Sequence, residues 1–386
     1  MHVLEAGPGL QPEKCEAVFG RAASLANEPS PTTPVLLLLH GFPELAYSWR
    51  KIMPALAASG YHVIAPDQRG YGRTQGGDNT YTSDLAPFRV LNLVRDALGL
   101  VAAMGYRSVD AVIGHDFGAP VAAACAVARP DVFKSVALMS APFAGVPAWP
   151  VAQNSAPIKL SAQPLSAMTG LADPGLDAAF AHLTPSRKHY QWFYSTPEAN
   201  ADMQNCPAGV HAFLRAYYHM KSADWTANKP HPLAAWTADA MAELPTYYVM
   251  NQSDGMAATV APHLPSSSAV AANRWLPDHE LAVYASEYTR NGFQGGLNWY
   301  RAVTGGLFAS DLKTFAGTKI TIPTCFIAGA SDWGIYQKPG DFEAMQTTAC
   351  TKFSGAHIIQ GAGHWVQQEQ PDAVISALSA FLAAHR

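Results

Sequence analysis

Short apolar runs alternate with helical segments over the first 140 residues, and this alternation constrains the fold more than any other feature. Val35–Leu39 is apolar throughout, and similar runs follow at residues 61–65, 109–113 and 135–139. A strand that is apolar along its whole length is typical of a parallel sheet covered on both faces. Helical patterns at about 47–58, 90–104 and 119–128 separate the runs, so the order predicts an α/β fold with right-handed crossovers.

The alternation stops near Pro142 and resumes only at residues 320–328 and 357–360, before a last predicted helix at 372–384. Between about 145 and 308 no run of buried-strand character is found. Helical patterns there predict helices at 176–183, 186–194, 209–220, 279–290 and 296–303. The sequence therefore predicts one core in two parts, residues 1–145 and 309–386, split by a mainly helical cap at 146–308.

Two segments of the predicted cap, residues 147–167 and 226–272, are poor in charge and rich in Ala, Pro and Ser. This composition predicts long loops or broken helices. Loops of such length are uncommon unless they serve function, although ordinary packing of an Ala-rich chain remains the alternative.

Composition and charge exclude several classes of protein. Charged residues make up 14% of the 386, well below the usual share of about 25%, which excludes a disordered charged chain. The formal charge of −4 offers no electrostatic footprint for nucleic acid or an anionic membrane surface. No apolar run approaches the roughly 18 residues that a membrane span needs, and the first 14 residues lack the pattern of a signal peptide.

The cysteine count indicates a reducing compartment. Five cysteines is an odd number, and no two form a C-x-x-C pair, so free thiols and a cytoplasmic location are predicted. The cysteines are Cys15, Cys125, Cys206, Cys325 and Cys350.

The segment Gly-His-Asp-Phe-Gly at residues 114–118 directly follows a predicted strand and opens a predicted helix. The G-x-S-x-G nucleophile elbow occupies the same context, but Asp116 stands at the middle position and no G-x-S-x-G occurs in the chain. Ligands of an open α/β sheet bind beyond the carboxyl ends of its strands, which favours a functional Asp116. A helix N-cap is the alternative role for this residue.

Three further elements follow the ends of predicted strands. His-Gly-Phe-Pro-Glu at 40–44 lies where a second oxyanion-hole amide arises, so the amides of Phe42 and Phe117 are predicted to point at the nucleophile. Asp332 follows the run at 320–328, and His364 follows the run at 357–360. The order Asp116, Asp332, His364 is the nucleophile–acid–base order of an α/β hydrolase.

With these motifs the chain resembles the α/β-hydrolase family and, within it, the soluble epoxide hydrolases. The most specific segment is residues 292–301, Gly-Phe-x-Gly-Gly-Leu-Asn-Trp-Tyr-Arg, which in that family supplies a catalytic tyrosine from the cap, here Tyr300. The family's second cap tyrosine precedes a glutamine, as Tyr190 precedes Gln191. Other matching segments are residues 40–44, 48–50, 67–72, 114–118 and 363–365.

This resemblance carries expectations about the fold. It implies an α/β-hydrolase core with a mostly parallel, mainly eight-stranded sheet, helices on both faces and an inserted helical cap. It also implies a cis bond between Phe42 and Pro43. Residues 222–272 exceed the usual cap, which leaves the identity of the substrate open.

The residues together predict hydrolysis of an epoxide to a vicinal diol. A carboxylate is already ionised at neutral pH and suits displacement at a saturated carbon, so Asp116 is expected to open the ring and form an ester. Tyr190 and Tyr300 are expected to protonate the ring oxygen. His364, oriented by Asp332, then activates the water that hydrolyses the ester.

Two assignments in the predicted cap keep alternatives. Tyr194 lies one helical turn from Tyr190 and is an alternative second acid. Aromatic residues beside the tyrosines predict an apolar substrate pocket, although ordinary core packing is the alternative. The predicted substrate-binding residues are Trp192, Phe193, Trp299, Trp365 and Pro43.

The nearest alternative function is a haloalkane or haloacid dehalogenase, which uses the same Asp, His and Asp. Such enzymes bind the halide with N–H donors, and an indole usually follows the nucleophile where this chain has Phe117. A ligand-binding protein that reuses the fold without turnover is the alternative from another class. The complete set of nucleophile, acid, base, amides and tyrosines favours an enzyme.

No metal and no cofactor are predicted, because the chain contains neither H-E-x-x-H nor H-x-x-x-H and no convincing Gly-rich phosphate loop. The predicted partners are a small apolar epoxide and water, with no nucleic acid and no membrane span. A homodimer is a further possibility that the sequence leaves open.

Overall fold

The computed structural model describes residues 1–7, 33–149 and 174–385, which build one large sheet, its covering helices and a helical insertion. Cys15 and residues 150–167 of the segment 147–167, predicted to form a long loop or broken helix, lie outside these residues. The strands are β1 (Val3–Ala6), β2 (Val35–Leu39), β3 (His62–Pro66), β4 (Ala111–His115), β5 (Val136–Met139), β6 (Arg187–His189), β7 (Val249–Asn251), β8 (Thr324–Gly329) and β9 (Phe353–Ile359).

The large sheet has the strand order β1-β3-β2-β4-β5-β8-β9. β1 runs antiparallel to β3, and every other pair is parallel. The predicted α/β-hydrolase fold class is thereby confirmed, with seven strands from the described residues where the resemblance implies mainly eight.

Sixteen helices accompany the strands in the described part of the chain. They are α1 (Met53–Ala58), α2 (Val90–Ala103), α3 (Gly118–Ala128), α4 (Pro174–Ala181), α5 (Tyr190–Tyr194), α6 (Glu198–Gln204), α7 (Gly209–Lys221), α8 (Ala238–Met241), α9 (Met256–Val260), α10 (Ser267–Ala272), α11 (Asp278–Asn291), α12 (Gln294–Thr304), α13 (Leu307–Leu312), α14 (Asp341–Ala344), α15 (Val366–Glu369) and α16 (Pro371–Ala384).

Alternate residues of β2 explain why that strand is apolar throughout. Leu37 and Leu39 pack into a core with α2 and α3, whereas Leu36 and Leu38 pack on the other face with α1 and α16. Successive side chains of a strand point to opposite faces, so a sheet covered on both sides needs apolar residues at every position. The core therefore has two layers, with the strand ends left to carry polar groups.

The insertion between β5 and β8 is mainly helical, as predicted, but the helix predicted at 186–194 is wrong in part. Residues 186–194 do not form one helix: Arg187–His189 is a strand that pairs antiparallel with Val249–Asn251, and the helix begins at Tyr190. Two strands of three residues show no periodicity, and pairing between distant segments stabilises them. The chain between 226 and 272 forms short helices around β7, as the broken-helix alternative predicted.

Other predicted boundaries lie within a few residues of the structure. The predicted helix at 47–58 is instead a 3₁₀ turn at Ala46–Trp49 followed by α1. The domain division at 145 and 308 stays a prediction. Among the residues that the structure describes, no helix combines the length and apolar character needed to cross a membrane.

Candidate active site

The turn between β4 and α3 holds Asp116 in a left-handed backbone conformation, with φ 49°. A Cβ on Gly114 would lie 2.2 Å from the carbonyl oxygen of Gly118, and a Cβ on Gly118 would lie 2.1 Å from that of Leu39. Only glycine permits these approaches of backbone to backbone. The two glycines therefore let the turn close tightly and lift the Asp116 side chain above the end of the sheet.

Three loops at one edge of the sheet bring Asp116, Asp332 and His364 together. Nδ1 of His364 donates to Oδ1 of Asp332 over 3.0 Å, and Nε2 faces Oδ2 of Asp116 at 3.1 Å. The backbone amide of Gly334 also donates to Oδ1 of Asp332, over 2.7 Å, and fixes that carboxylate. His364 and Asp332 are each 1% exposed. The site therefore has the connectivity of a catalytic triad with a carboxylate as its first member.

The charges of the site keep Asp116 ionised. Burial acts to raise its pKa, but the hydrogen bond and charge of His364, with the charges of Lys221 and His115, hold it well below its usual value. Burial and the charge of Lys221 act to lower the pKa of His364, and the two carboxylates outweigh them and raise it. The site thus pairs an ionised carboxylate with an imidazole whose protonated form the neighbouring carboxylates stabilise.

A backbone amide from the loop after β2 contacts the Asp116 carboxylate. The amide of Phe42 donates to Oδ1 of Asp116 over 2.9 Å. The Phe42–Pro43 bond is cis, as the resemblance implies. Among the hydrogen bonds of the described residues, the Phe117 amide makes none to this carboxylate, and its part in an oxyanion hole stays a prediction.

The glycines of the 292–301 segment bring Tyr300 over the core. A Cβ on Gly295 would lie 1.9 Å from the carbonyl oxygen of Gly70, so the start of α12 rests directly on the core turn. The ring of Tyr300 stands edge-on to Phe42 at 5.4 Å and to Phe117 at 5.0 Å, between ring centroids. This segment therefore places a phenol beside the two residues next to the nucleophile site.

Tyr190 and Tyr194 both lie beside Tyr300, Tyr194 with its ring centroid 5.0 Å away, and the two tyrosines differ in their hydrogen bonds. The rings of Tyr190 and Tyr300 lie 5.8 Å apart, and burial, followed by the negative charge of Asp116, raises the pKa of the Tyr190 phenol. Burial, followed by the phenol of Tyr190 and the charge of Asp116, raises the pKa of Tyr300. The phenol of Tyr194 donates instead to Tyr217 over 3.4 Å.

Gln191, which directly follows Tyr190, forms a hydrogen bond with it. Its side-chain amide donates to the phenol oxygen of Tyr190 over 3.0 Å. Since that oxygen already accepts a hydrogen bond, the phenol proton of Tyr190 is free to point elsewhere. This arrangement is compatible with the predicted role of Tyr190 as a proton donor.

Three of the predicted pocket aromatics, Trp299, Trp365 and Phe193, are buried. Trp299 and Trp365 are fully buried, and their indole N–H groups donate to the carbonyls of Arg69 and Tyr218. They belong to the packed interior around the site. Phe193 is slightly more accessible, with 9% of its surface exposed, and its part in substrate binding stays a prediction.

The two remaining pocket residues lie at the cap and its junction with the core. Trp192 is half-buried and packs edge-on to His189 and Phe180. The carbonyl of Pro43 accepts from the phenol of Tyr218 over 3.0 Å, which joins the core loop to α7. Their part in substrate binding stays a prediction.

A buried pair, Glu44 and His115, supports the triad and was missed by sequence reasoning. Nδ1 of His115 donates to Oε2 of Glu44 over 2.6 Å, and Nε2 donates to the carbonyl oxygen of His364 over 2.7 Å. Burial acts to raise the pKa of Glu44, and the charge and hydrogen bond of His115 lower it overall. Their positions just beyond β2 and at the end of β4 were the available signal.

A second missed carboxylate, Glu369, joins the cap to the histidine loop. It accepts from the amides of Ala223, Gly363 and Trp365 over 2.8, 2.9 and 3.0 Å. Burial raises its pKa to about 8 although these three donors act in the opposite direction.

Among the residues the structure describes, no group of three or more His, Cys, Asp or Glu is placed to hold a metal ion.

Comparison with known proteins adds a family to this geometry. The family model of the alpha/beta hydrolase fold matches residues 34–371. Epoxide hydrolase A of Mycobacterium tuberculosis is 32% identical over 97% of this chain and 98% of its own length. Epoxide hydrolase B of the same organism is 30% identical over 93% of this chain and 94% of its own length.

Solved structures agree with the sequence relatives. An epoxide hydrolase from an endophytic Streptomyces is similar with a TM-score of 0.71 and 30% identity, covering 92% of this chain and 90% of its own. Epoxide Hydrolase A from Mycobacterium thermoresistibile is similar with a TM-score of 0.67 and 31% identity, covering 92% of each chain.

Proposed function

The chain belongs to the α/β-hydrolase fold family and, within it, to the epoxide hydrolases, and from this premise we propose that it forms an alkyl ester on Asp116 and then hydrolyses it. The observation that carries the proposal is the Asp116–His364–Asp332 chain of hydrogen bonds at the end of the sheet. It supplies a nucleophile, a base and the group that orients the base.

In the first step, a carboxylate oxygen of Asp116 attacks a ring carbon and the bond from that carbon to the ring oxygen breaks. The electron pair of the breaking bond goes to the oxygen, which takes a proton from a phenol. Tyr190 and Tyr300 are the proposed donors, because the Asp116 charge acts on both phenols and Gln191 occupies the acceptor side of Tyr190. The depressed pKa of Asp116 supports its role as the attacking anion.

In the second step, His364 takes a proton from water, and the oxygen attacks the ester carbonyl of Asp116. The negative charge then forms on the atom that now accepts from the Phe42 amide, which supports an oxyanion role for Phe42. Phe117 is the proposed second amide. Collapse breaks the bond between carbonyl carbon and alkoxy oxygen, and that oxygen takes the proton held by His364, so the diol leaves with an oxygen from Asp116. The proton left on the Asp116 carboxyl returns to the phenolate and restores the starting state.

We propose an apolar epoxide as substrate, because aromatic rings surround the nucleophile. Phe42, Phe117 and Tyr190 each stand edge-on to Tyr300 within 6 Å between ring centroids. The dehalogenase alternative lacks comparable support, since the Phe117 ring carries no N–H for a halide.

A homodimer and a cytoplasmic location stay predictions, which sedimentation and cell fractionation would check.

A trapping experiment tests the ester directly. His364→Gln is expected to form the ester without hydrolysing it, so intact and peptide masses should show the full mass of the epoxide on the Asp116 peptide. Asp116→Ala is the matched control and should show no adduct. An adduct that persists in Asp116→Ala would contradict the assignment of the nucleophile.

Isotope labelling tests the order of the bonds. In a single turnover of the wild type in ¹⁸O-water, the proposed mechanism yields an unlabelled diol and a labelled Asp116 carboxylate. Direct attack of water on the epoxide would instead label the diol at once, and that result would overturn the ester mechanism.

A further inference from the structure

Lys221 is a buried cation beside the active site that has no acidic partner. It is 3% exposed, and within the described part of the chain its ammonium makes no salt bridge within 4 Å. Four aromatic rings surround the ammonium, with centroids 5.0–5.9 Å away; they belong to Tyr217, Tyr247, Tyr248 and Trp365. Lysines are almost never fully buried unless paired, so a charge held by rings alone calls for a reason.

The backbone of Lys221 is joined to the catalytic loop. The amide of His364 donates to the carbonyl oxygen of Lys221 over 2.8 Å. A Cβ on Gly363 would lie 2.5 Å from that same oxygen, so the loop and the end of α7 are in direct contact. The Trp365 ring, which forms one wall around the ammonium, lies 4.8 Å from the His364 ring between centroids. The lysine charge is therefore fixed in position relative to His364.

Several charged and titratable groups face His364 from the elements packed around it. Asp332 comes from the loop after β8, and Asp116 from the turn after β4. The His115 ring lies 5.1 Å from the His364 ring between centroids, tilted by 53°, and is paired with Glu44. Glu369 of α15 binds the amides on either side of His364. Lys221 of α7 has the opposite sign to Asp116, Asp332 and Glu44, whose pKa values are lowered, whereas burial raises the pKa of Glu369 to about 8.

We propose that Lys221 is a positioning residue for the hydrolytic step, whose fixed positive charge keeps His364 available as a base once Asp116 has been esterified. This inference rests on the proposed ester mechanism. Lys221 acts through His364 and touches neither the substrate nor the water.

The charge balance of the two steps gives the reason. Before attack, His364 lies between two carboxylates, which favour the imidazolium. Esterification removes the charge of Asp116, while Asp332 still favours the protonated ring. A fixed cation nearby opposes this effect and acts to lower the pKa of His364, which favours the neutral imidazole that accepts the proton of water.

The test is the pH dependence of ester hydrolysis in single turnovers, followed by rapid quenching and intact mass. Hydrolysis requires neutral His364, so its rate rises with pH through the pKa of that residue. Lys221→Met removes the charge and is expected to move this acidic limb upward by about one pH unit, which is about a tenfold lower rate below the limb. Lys221→Arg, which retains a cation, is expected to restore the wild-type limb.

A matched control removes another ammonium from the cap. Lys188 lies over the Phe193 ring at 4.6 Å and faces Asp202 and Asp254 instead of His364. Lys188→Met should therefore leave the acidic limb unchanged. Lys221→Gln, which keeps a polar head among the rings, takes the place of Lys221→Met if that variant does not fold.

The outcomes separate this inference from the proposed function. If the ester forms in every variant and the limb of Lys221→Met or Lys221→Gln coincides with that of the wild type, the role of Lys221 is refuted. An equal shift in Lys188→Met would refute it as well. If no ester forms in His364→Gln, the proposed function itself fails.

Discussion

Gly41→Ala is expected to impair the chemistry while leaving the fold in place. A Cβ at position 41 would lie 2.4 Å from both Cβ and Oδ1 of Asp116. Carbon atoms rest about 3.5–4.0 Å apart, so the nucleophile or the loop must move by about 1 Å. Oδ1 is also the atom that the Phe42 amide holds, so the shift falls on the reacting group.

A misplacement of about 1 Å costs on the order of 100-fold in rate, which is the expected loss in the rate of ester formation for Gly41→Ala. The assay is rapid quenching with intact mass, at substrate concentrations that saturate the enzyme. Circular dichroism and the midpoint of thermal unfolding check that the variant is folded.

Gly99→Ala is the matched control, because Gly99 lies within α2 and a Cβ there meets nothing within 4 Å. Replacing a helical glycine by alanine should stabilise the protein by about 0.5–1 kcal/mol and leave the rate unchanged. A folded Gly41→Ala protein that forms the ester within about threefold of the wild-type rate would refute the steric reasoning.

Three other predictions address the donors, the orienting acid and the buried pair. Tyr190→Phe and Tyr300→Phe should each slow ester formation about 100-fold, since each removes a proton donor. The rate of ester formation in Tyr194→Phe should stay within about threefold of the wild type. Equal defects at 190 and 194 in rapid-quench measurements would contradict the assignment. Asp332→Asn should slow ester hydrolysis by about 10³–10⁴ because the imidazole loses its orienting anion, so the adduct accumulates in mass spectra, and a variant that turns over normally would contradict this. Glu44→Gln should lower the free energy of unfolding by about 2 kcal/mol near neutral pH. Because the folded pKa of Glu44 lies below its usual value, its stabilisation is present above the unfolded pKa and is lost as pH falls through the folded pKa. Urea unfolding at several pH values measures the difference, and one that grows toward acid would contradict the reasoning.

The elements that position the nucleophile were predictable because their signals are local. β2 and α3 lie within a residue of their predicted limits, and the glycines at 114 and 118 mark the tight turn around Asp116. The order of Asp116, Asp332 and His364 along the chain predicted a triad, and the structure brings the three side chains within hydrogen-bond distance.

The cap was predicted less well because its structure depends on distant partners. The strand Arg187–His189 is polar and three residues long, and it exists because it pairs with Val249–Asn251. Tyr190 and Tyr194 lie one turn apart on a helix, so spacing alone places both on one face. Their hydrogen bonds differ in the folded chain, since Gln191 donates to Tyr190 whereas Tyr194 donates to Tyr217.

The sequence by itself determined the order of the motifs along the chain, the tight turn around Asp116 and the residue types of the predicted triad. Each of these depends on a few neighbouring residues with strict steric or chemical requirements. Tertiary structure alone decided the charge environment of that triad. Lys221 acts on His364 and Asp116, His115 binds the His364 carbonyl, and Glu44 holds His115, and these contacts form only after folding brings separate elements together. Electrostatic interactions depend on distance and burial, which no spacing along the chain records.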